Sequence, residues 1–325
     1  MNDLNLIILI SSVIAGAAPI VLASLGETIN EKAGVINLSL DGSILLSAMV
    51  SFVTAYRTQS LILGFAAGAL AGAAIASLVG FFSIYLGRSQ VAVGFVLTLT
   101  AKDLAYFFGN PYARLYGPQV SLKSVPLLHK IPVLGPILFQ HSLPVYLSLL
   151  LILFCWYYLY RTGYGLSLRA VGENPHAAYA RGIPVYRTRF MYTILGGILI
   201  GIAGAAFSLC AKPGWGRPQG AEGTGWIALA IVIFGGWHPV RVALGAYLFS
   251  FLQVFGIHFQ EWLPSIPSQI FQIAPFPLMI FVLVMTQSTS PAPKLQAKTF
   301  SPVKRLLSLA KGTAPAALGK NFHAE

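Results

Sequence analysis

The sequence predicts an all-α polytopic membrane protein of about 8–10 transmembrane helices, some of them broken or half-length. Three observations carry that expectation. Of the 325 residues, 56% are hydrophobic and 9% charged, with a mean hydropathy of +0.73; a soluble domain carries roughly 25% charged residues. Windows nearly free of charge, close to the ~20 residues needed to cross a bilayer, follow one another through most of the chain. Between two of them, Arg161 to Arg189 holds five arginines against one acid, Glu173, for a net +4. Short loops rich in Lys and Arg stay on the cytoplasmic side.

The windows in order are Leu4–Gly26, Ala33–Tyr56 (interrupted by Asp41), Thr58–Gly87, and Ser89–Gly109 (interrupted by Lys102 and Asp103). A Pro-rich loop follows to about Ser142, then windows at Leu143–Tyr160 and Phe190–Ala211. A Gly-rich turn, Lys212–Gly225, leads into Trp226–Trp237, whose 12 residues are too short to cross alone and read either as a half-helix or as a crossing completed by the glycine turn. Val242–Ile257 and Ile270–Met285 complete the set. Residues 1–287 thus form a membrane domain, with 161–189 as its cytoplasmic loop and 288–325 as a basic cytoplasmic tail. Nine crossings counted back from that tail place the N-terminus outside, and with it the loop bearing Arg114, Lys123 and Lys130. No cleavable signal is expected, since the N-terminus lacks a positive leading region. Small residues recur every fourth position at Gly64, Gly68, Gly72, Ala76 and Gly80, and again at Gly197, Gly201 and Ala205. Such faces let helix backbones approach closely in lipid.

The basic loop has an internal design. Asn174-Pro175 reads as an N-cap followed by proline at the first helical position, and Gly182 as the glycine past the end. About two turns of helix between them are too few to be stable alone. A partner protein or the ends of the membrane helices must hold this helix.

Ionisable groups at membrane depth are costly, so each is a functional candidate. The richest stretch is Gly26–Gly42, GETINEKAGVINLSLDG, where Asn37, Ser39 and Asp41 enter an apolar helix behind Glu27, Glu31 and Lys32. Glycines and small polar groups there predict a discontinuous helix facing a cavity, with Asn37 and Asp41 one turn apart on one face. Lys102 and Asp103, as neighbours, point about 100° apart on a helix and do not simply neutralise each other.

Other chemistries lack their residues. No GxxxxGK[ST] motif is present, so the chain has no evident ATP site. The six histidines show no metal-ligand spacing. Neither cofactor nor metal is expected. Cys155 and Cys210, in apolar windows, read as small buried residues. The net charge of +12 falls mostly in the loop and the tail. Membrane orientation and anionic lipid headgroups account for it better than nucleic acid does.

Three stretches carry a resemblance: GVINLSLDG, GYGLSLRAVGENPHAAYARGI and GWIALAIVIFGGWHP. Together they resemble permease subunits of bacterial-type ABC importers, in the branch that includes branched-chain amino acid, ribose and nucleoside systems. The form EKAGVINLSLDG points to the second permease of nucleoside importers that work with a basic membrane lipoprotein. The likeness runs from about Val13 to Met285 and leaves the tail unassigned. It implies a multi-pass cell-membrane subunit that is not itself an enzyme. Its implied partners are an ABC ATPase subunit, a second homologous permease and an extracytoplasmic substrate-binding lipoprotein. It assigns ATPase coupling to Gly172, Glu173, Asn174, Pro175, Ala178 and Gly182, with Arg169 and Arg181 flanking. It sets Asn37, Ser39 and Asp41 beside the translocation path; Trp226 is added there as an aromatic able to stack on a base. The alternatives are an ion-coupled secondary transporter using Asp41, Lys102 and Asp103, and, more weakly, a membrane-embedded transferase. The capped helix in a basic loop favours the ABC permease, since a self-contained carrier has no need of it.

Overall fold

The helices of the computed structural model follow the apolar windows, but their ends differ from the window edges in ways that bear on function. Residues 3–124, 126, 129, 131–217, 219–262, 277 and 312–323 are described. The elements are α1 (Asp3–Lys32), α2 (Leu40–Thr58), α3 (Leu61–Gly80), α4 (Gln90–Gly109), α5 (Leu134–Leu138) and α6 (Leu143–Arg161). Then come α7 (Gly163–Glu173), α8 (Pro175–Ala180), α9 (Val185–Ala206), α10 (Thr224–Phe234) and α11 (Pro239–Trp262). One turn of π-helix extends each of α3 and α9, over Phe81–Tyr85 and Phe207–Ala211. A two-residue strand pair, β1 (Lys123–Ser124) with β2 (Gln140–His141), pins the Pro-rich loop.

Among the described residues six helices are long and apolar enough to cross a membrane: α1, α3, α4, α6, α9 and α11. The 19-residue α2 runs with them, mostly buried. The 11 residues of α10 rise only about 16 Å, half of a bilayer core. The chain is therefore an all-α polytopic membrane protein, with one broken entry and one half-helix among the described residues. The span expected at Ile270–Met285 lies outside the described residues, apart from Pro277.

The two stripes of small residues meet each other. Gly68 and Gly72 on α3 lie against Gly197 and Gly201 on α9, so closely that a Cβ on Gly72 would overlap the main chain of Gly197 and Gly201, and a Cβ on Gly201 the Gly68 carbonyl. Ala205 sits in the same seam. Packing of bare backbone joins these helices, as expected where lipid supplies no hydrophobic drive. Around this pair, α1, α2 and α9 bury Ala17, Leu22, Leu25, Leu40, Ile44, Phe52, Ile200 and Ala203 in one core.

Three boundaries correct the sequence reading. The first helix does not stop at Gly26: it runs to Lys32, so Glu27, Asn30 and Glu31 are buried in its last turns. Both carboxylates accept internal hydrogen bonds, Glu27 from Asn30 and Asn37 and Glu31 from Trp237, which permits this. The second helix begins at Leu40 instead of Ala33, leaving residues 33–39 non-helical. The sixth window begins as helix at Val185, and Arg189 is buried in it at 2% exposure.

Lys32, Arg88, Arg161, Arg169, Arg181, Arg187 and Arg241 gather near one end of the bundle, with α7 and α8. By the positive-inside bias this end is cytoplasmic. The external end carries the strand pair and the Gly-rich turn.

Candidate functional site

The 20-residue α4 serves as a ruler for the site. One non-helical segment climbs it from the cytoplasmic end. Gln90 Oε1 accepts from the Ile36 N–H at 2.8 Å, a Cβ on Gly94 would lie 2.8 Å from the Leu38 nitrogen, and Thr98 Oγ1 donates to the Leu38 carbonyl at 2.6 Å. From Gln90 to Thr98 the segment rises about 12 Å. The start of α2 therefore sits well inside the membrane: a Cβ on Gly42 would overlap the Thr98 backbone.

Backbone groups at that depth need partners, and the segment supplies them. Val35 N–H donates to the Asn30 carbonyl at 3.1 Å. Glu27 accepts from Asn37 N–H at 3.1 Å and from Asn30 Nδ2 at 2.9 Å. Asn37 Oδ1 in turn accepts from the Ser39 N–H at 3.1 Å and from its hydroxyl. This Asn-x-Ser turn competes with the helix and breaks it here. Asn37 and Asp41 consequently do not share a helix face: Asn37 belongs to the break and Asp41 to the first turn of α2.

A second segment descends α4 from the external end. Trp215 is buried against Gly109, and its carbonyl accepts from the Arg114 N–H at 2.9 Å. Gln219 N–H donates to the Tyr106 hydroxyl at 3.3 Å. Glu222 pairs with Lys102 and accepts from the Tyr106 hydroxyl at 2.6 Å. The descent ends where α10 begins, at Gly225, whose N–H donates to Asp41 Oδ1 at 3.1 Å. A carboxylate from the broken entry of α2 thus caps the N-terminus of a half-helix, where orphan N–H groups and the helix dipole favour negative charge. Two interrupted helices meet at mid-height.

The residues at this meeting point divide by exposure. Asn37, Ser39 and Asp41 are buried within the subunit, at 1%, 0% and 4%. Lys102 and Glu222 are about one-third exposed, and Asp103 is exposed. Above the pair, Asp103, Tyr106, Phe107, Asn110, Pro111 and Arg217 line an open cavity of about 490 Å³. The Arg217 guanidinium lies over the Tyr106 ring, 4.9 Å from its centroid. Trp226 is 39% exposed, and with Ala230 and Ile233 it forms the open stripe of α10.

At the cytoplasmic end the expected capping is present. Asn174 Oδ1 accepts from the Ala177 N–H at 3.0 Å, Pro175 opens α8, and Gly182 adopts φ +81°. The last carbonyls are closed by Gly182 N–H to Tyr179 O at 2.8 Å and Ile183 N–H to Ala178 O at 3.1 Å. Pro175 and Ala178 face inward; Glu173, Asn174, His176, Ala177, Tyr179, Arg181 and Gly182 remain exposed. Gly172 is pressed onto the Lys32 carbonyl, with no room for a Cβ. The loop is thereby joined to the end of α1, immediately before the break. Arg169 lies over the Tyr160 ring at 5.0 Å, and His238 stacks on the same ring at 5.1 Å. Burial, then the positive charges of Arg241 and Lys32, hold His238 below its ordinary pKa.

Reasoning on sequence missed Glu222, Gln90 and Thr98. Glu222 is a lone acid in the Gly-rich turn Lys212–Gly225 and could have been matched to Lys102 as an intramembrane counter-charge. Gln90 and Thr98 carry no local signal, because their roles come from the packing of α4. Among the described residues no group of three His, Cys, Asp or Glu side chains could hold a metal. Cys155 and Cys210 are free thiols.

Comparison with known proteins joins this geometry to a family. Residues 9–283 match the family described as branched-chain amino acid transport system / permease component. The chain is 33% identical to the nucleoside ABC transporter permease protein NupC of Lactococcus lactis subsp. cremoris, over 90% of this chain and 97% of that one. It is 30% identical to the guanosine ABC transporter permease protein NupQ of Bacillus subtilis, over 92% and 98%. It is 38% identical to the putative glucose ABC transporter permease protein TsgC13 of Haloferax volcanii, over 78% of each. No solved structure matches. A basic end with a capped helix, broken helices at mid-height and these matches place the chain in one class: it belongs to the branched-chain amino acid transport system permease family, as a multi-pass ABC transporter permease of the cell membrane.

Proposed function

We propose that this permease forms half of a translocation path for nucleosides, with ATP hydrolysed on a separate ATPase subunit that docks on the exposed face of α8. A permease of this family works with an ATPase and a second permease subunit. An extracytoplasmic lipoprotein that captures the substrate is the further partner in this reading. The family assignment takes the place of the ion-coupled carrier and the transferase.

The observation that carries the docking role is α8 itself. It has six residues, is capped at both ends, presents its outer face to solvent, and is seated through Gly172 on the last carbonyl of α1. Replacing Gly182 by Val meets no steric obstacle, since nothing lies within 4 Å of its Cβ position. It forces a β-branched residue to φ > 0, at about 1–2 kcal/mol. Combined with Pro175→Gly, it should release the ATPase in co-purification while the permease still inserts. Unchanged co-purification and transport in that double variant would remove α8 from the interface.

For the path, the polar face of Lys102, Asp103, Tyr106 and Glu222 is the better lining, with Asn37, Ser39 and Asp41 as the layer behind it. A cation about one-third exposed at mid-height would be costly against lipid, so this face belongs toward water or the second subunit. Nucleosides are favoured by the near full-length likeness to the two nucleoside-type relatives. Glucose is favoured by the higher identity of the Haloferax protein. Uptake assays decide between them: competition by guanosine but not glucose supports the nucleoside reading, and the reverse reassigns the substrate.

A further inference from the structure

Residues 312–323 lie beyond the family match, which ends at 283, yet they are built into the cytoplasmic end. Their buried side chains are Pro315, Ala317 and Phe322. The Phe322 ring is enclosed by His176 and Tyr179 of α8 and by Tyr186 of α9, with centroids 5.0, 5.7 and 5.2 Å away. Main-chain bonds then tie the segment to α7 and to the α1–α2 break itself. Ala317 N–H donates to the Gly172 carbonyl at 2.9 Å, and Gly319 N–H to the Gly34 carbonyl at 3.1 Å. Arg189, buried in α9, donates from Nη1 to the Lys320 carbonyl at 2.8 Å. Asn321 Nδ2 donates to the Gly87 carbonyl, beyond α3, at 2.7 Å.

A six-residue helix cannot hold its own shape in water, and α8 has an apolar inner face to cover. The tail covers part of it: Phe322, Ala178, Val171 and Val185 form a small core of their own. Any displacement of α8 must move Phe322 with it or open that core. The strap that carries Phe322 is bonded to Gly34, so the displacement reaches the break by a second route beside the Gly172–Lys32 contact. We propose that residues 312–323 position the coupling helix, with Phe322 as the anchoring side chain and Gly319 as the link to the break. The inference rests on the reading that α8 docks the ATPase.

The test uses the complete importer in proteoliposomes, comparing Phe322→Ala, Phe322→Leu and Asn321→Ala with the unaltered chain. Substrate transported per ATP hydrolysed is the readout, because a merely structural role would lower both together and leave the ratio alone. Phe322→Ala is expected to retain the ATPase and to lower the ratio about tenfold, equivalent to ~1.4 kcal/mol of lost coupling. Phe322→Leu, which keeps an apolar anchor, should recover most of it. Asn321 is exposed, so its variant should fold normally, with a ratio about two- to threefold lower. The variant Ala177→Cys, assayed for cross-linking to the ATPase, tests the underlying docking separately. If it cross-links and the ratios match the unaltered chain, the tail proposal alone fails. If it does not, docking and tail proposal fail together. Should Phe322→Ala not fold, an unchanged ratio in Asn321→Ala would make the tail packing only, and overturn the proposal.

Discussion

Two irregular segments lie along α4, and they are built in opposite ways. The lower one, residues 33–39, is almost wholly buried, and its main chain is bonded in turn to Glu27, Asn30, Gln90 and Asn37. The upper one, residues 212–223, is largely open, holds Gly214 and Gly223 at positive φ, and carries its charges on the exposed Lys212, Arg217 and Glu222. Both satisfy the rule that non-helical backbone at membrane depth needs protein or water around it. The lower segment is surrounded by protein, while the upper one borders a cavity. A sealed break preserves architecture, and an open one leaves polar groups for a solute. Changes below should therefore cost folding, and changes above should cost transport.

The largest expected effect is at the lower break. Gly42→Val drives a branched side chain into the main chain at Thr98, which cannot yield as a flexible side chain could. Overpacking a tight core costs about 1–3 kcal/mol, and overlap with backbone sits at or above the top of that range. Little monodisperse protein should be recovered after detergent extraction. Gly216→Ala in the upper segment, where nothing lies within 4 Å of the added Cβ, should be recovered as well as the unaltered chain. Equal recovery of the two would end the distinction between a sealed and an open break.

The next effect removes a hub instead of adding bulk. Glu27→Ala strands the Asn37 N–H and the Asn30 amide, both buried. A buried unsatisfied donor costs about 1–3 kcal/mol. The melting temperature of the purified permease should fall, while transport by the folded fraction stays near normal. Loss of transport without loss of stability would move Glu27 from architecture to the path.

These two sites also mark how far the sequence could be read. Within the described residues the apolar windows, the short α10, the two small-residue faces and the caps of α8 were legible, because each depends on spacing within one segment; that the two faces meet each other was not. The break at 33–39 was legible in kind but misplaced, since α1 runs to Lys32 past the window edge at Gly26 and α2 begins at Leu40 instead of Ala33. Glu27 and Glu31 looked like loop residues, since the groups that donate to them, the Asn37 N–H and the Trp237 indole, arrive only on folding. The same holds for Lys102: its neighbour Asp103 is visible in the sequence, whereas its partner Glu222 lies 120 residues away. The docking of the tail on α8 is likewise a pairing of distant segments, and a basic composition gives no sign of it.

In the upper segment the Lys102–Glu222 pair should show the reverse balance from Glu27. An ion pair this exposed contributes about 0–1 kcal/mol to stability, so Lys102→Ala should leave the melting temperature within a degree or two. Transport should fall severalfold, and Lys102→Ala with Glu222→Ala should recover part of it if charge imbalance on the path is the defect. A large drop in stability with proportional loss of transport would make this pair structural, like the lower break.

The smallest expected effect is at Trp226, and it tests whether the open side extends down α10. Its ring is 39% exposed, one turn above Ala230 and two above Ile233 on the same stripe. Two surroundings could use such a ring: a passing solute or the facing permease subunit. Stacking of an aromatic ring on a base is worth about 1–3 kcal/mol when removed, and a transient, partly hydrated contact sits at the low end. Trp226→Ala should therefore raise the KM for uptake about fivefold, with little change in maximal rate. Trp226→Phe keeps a ring face and should restore most of the affinity. If the ring packs against the second subunit instead, the same alanine variant should weaken permease pairing in gel filtration and lower the maximal rate, with KM unmoved. In that case the solute meets Tyr106 and the charges above it, and the open stripe of α10 is interface.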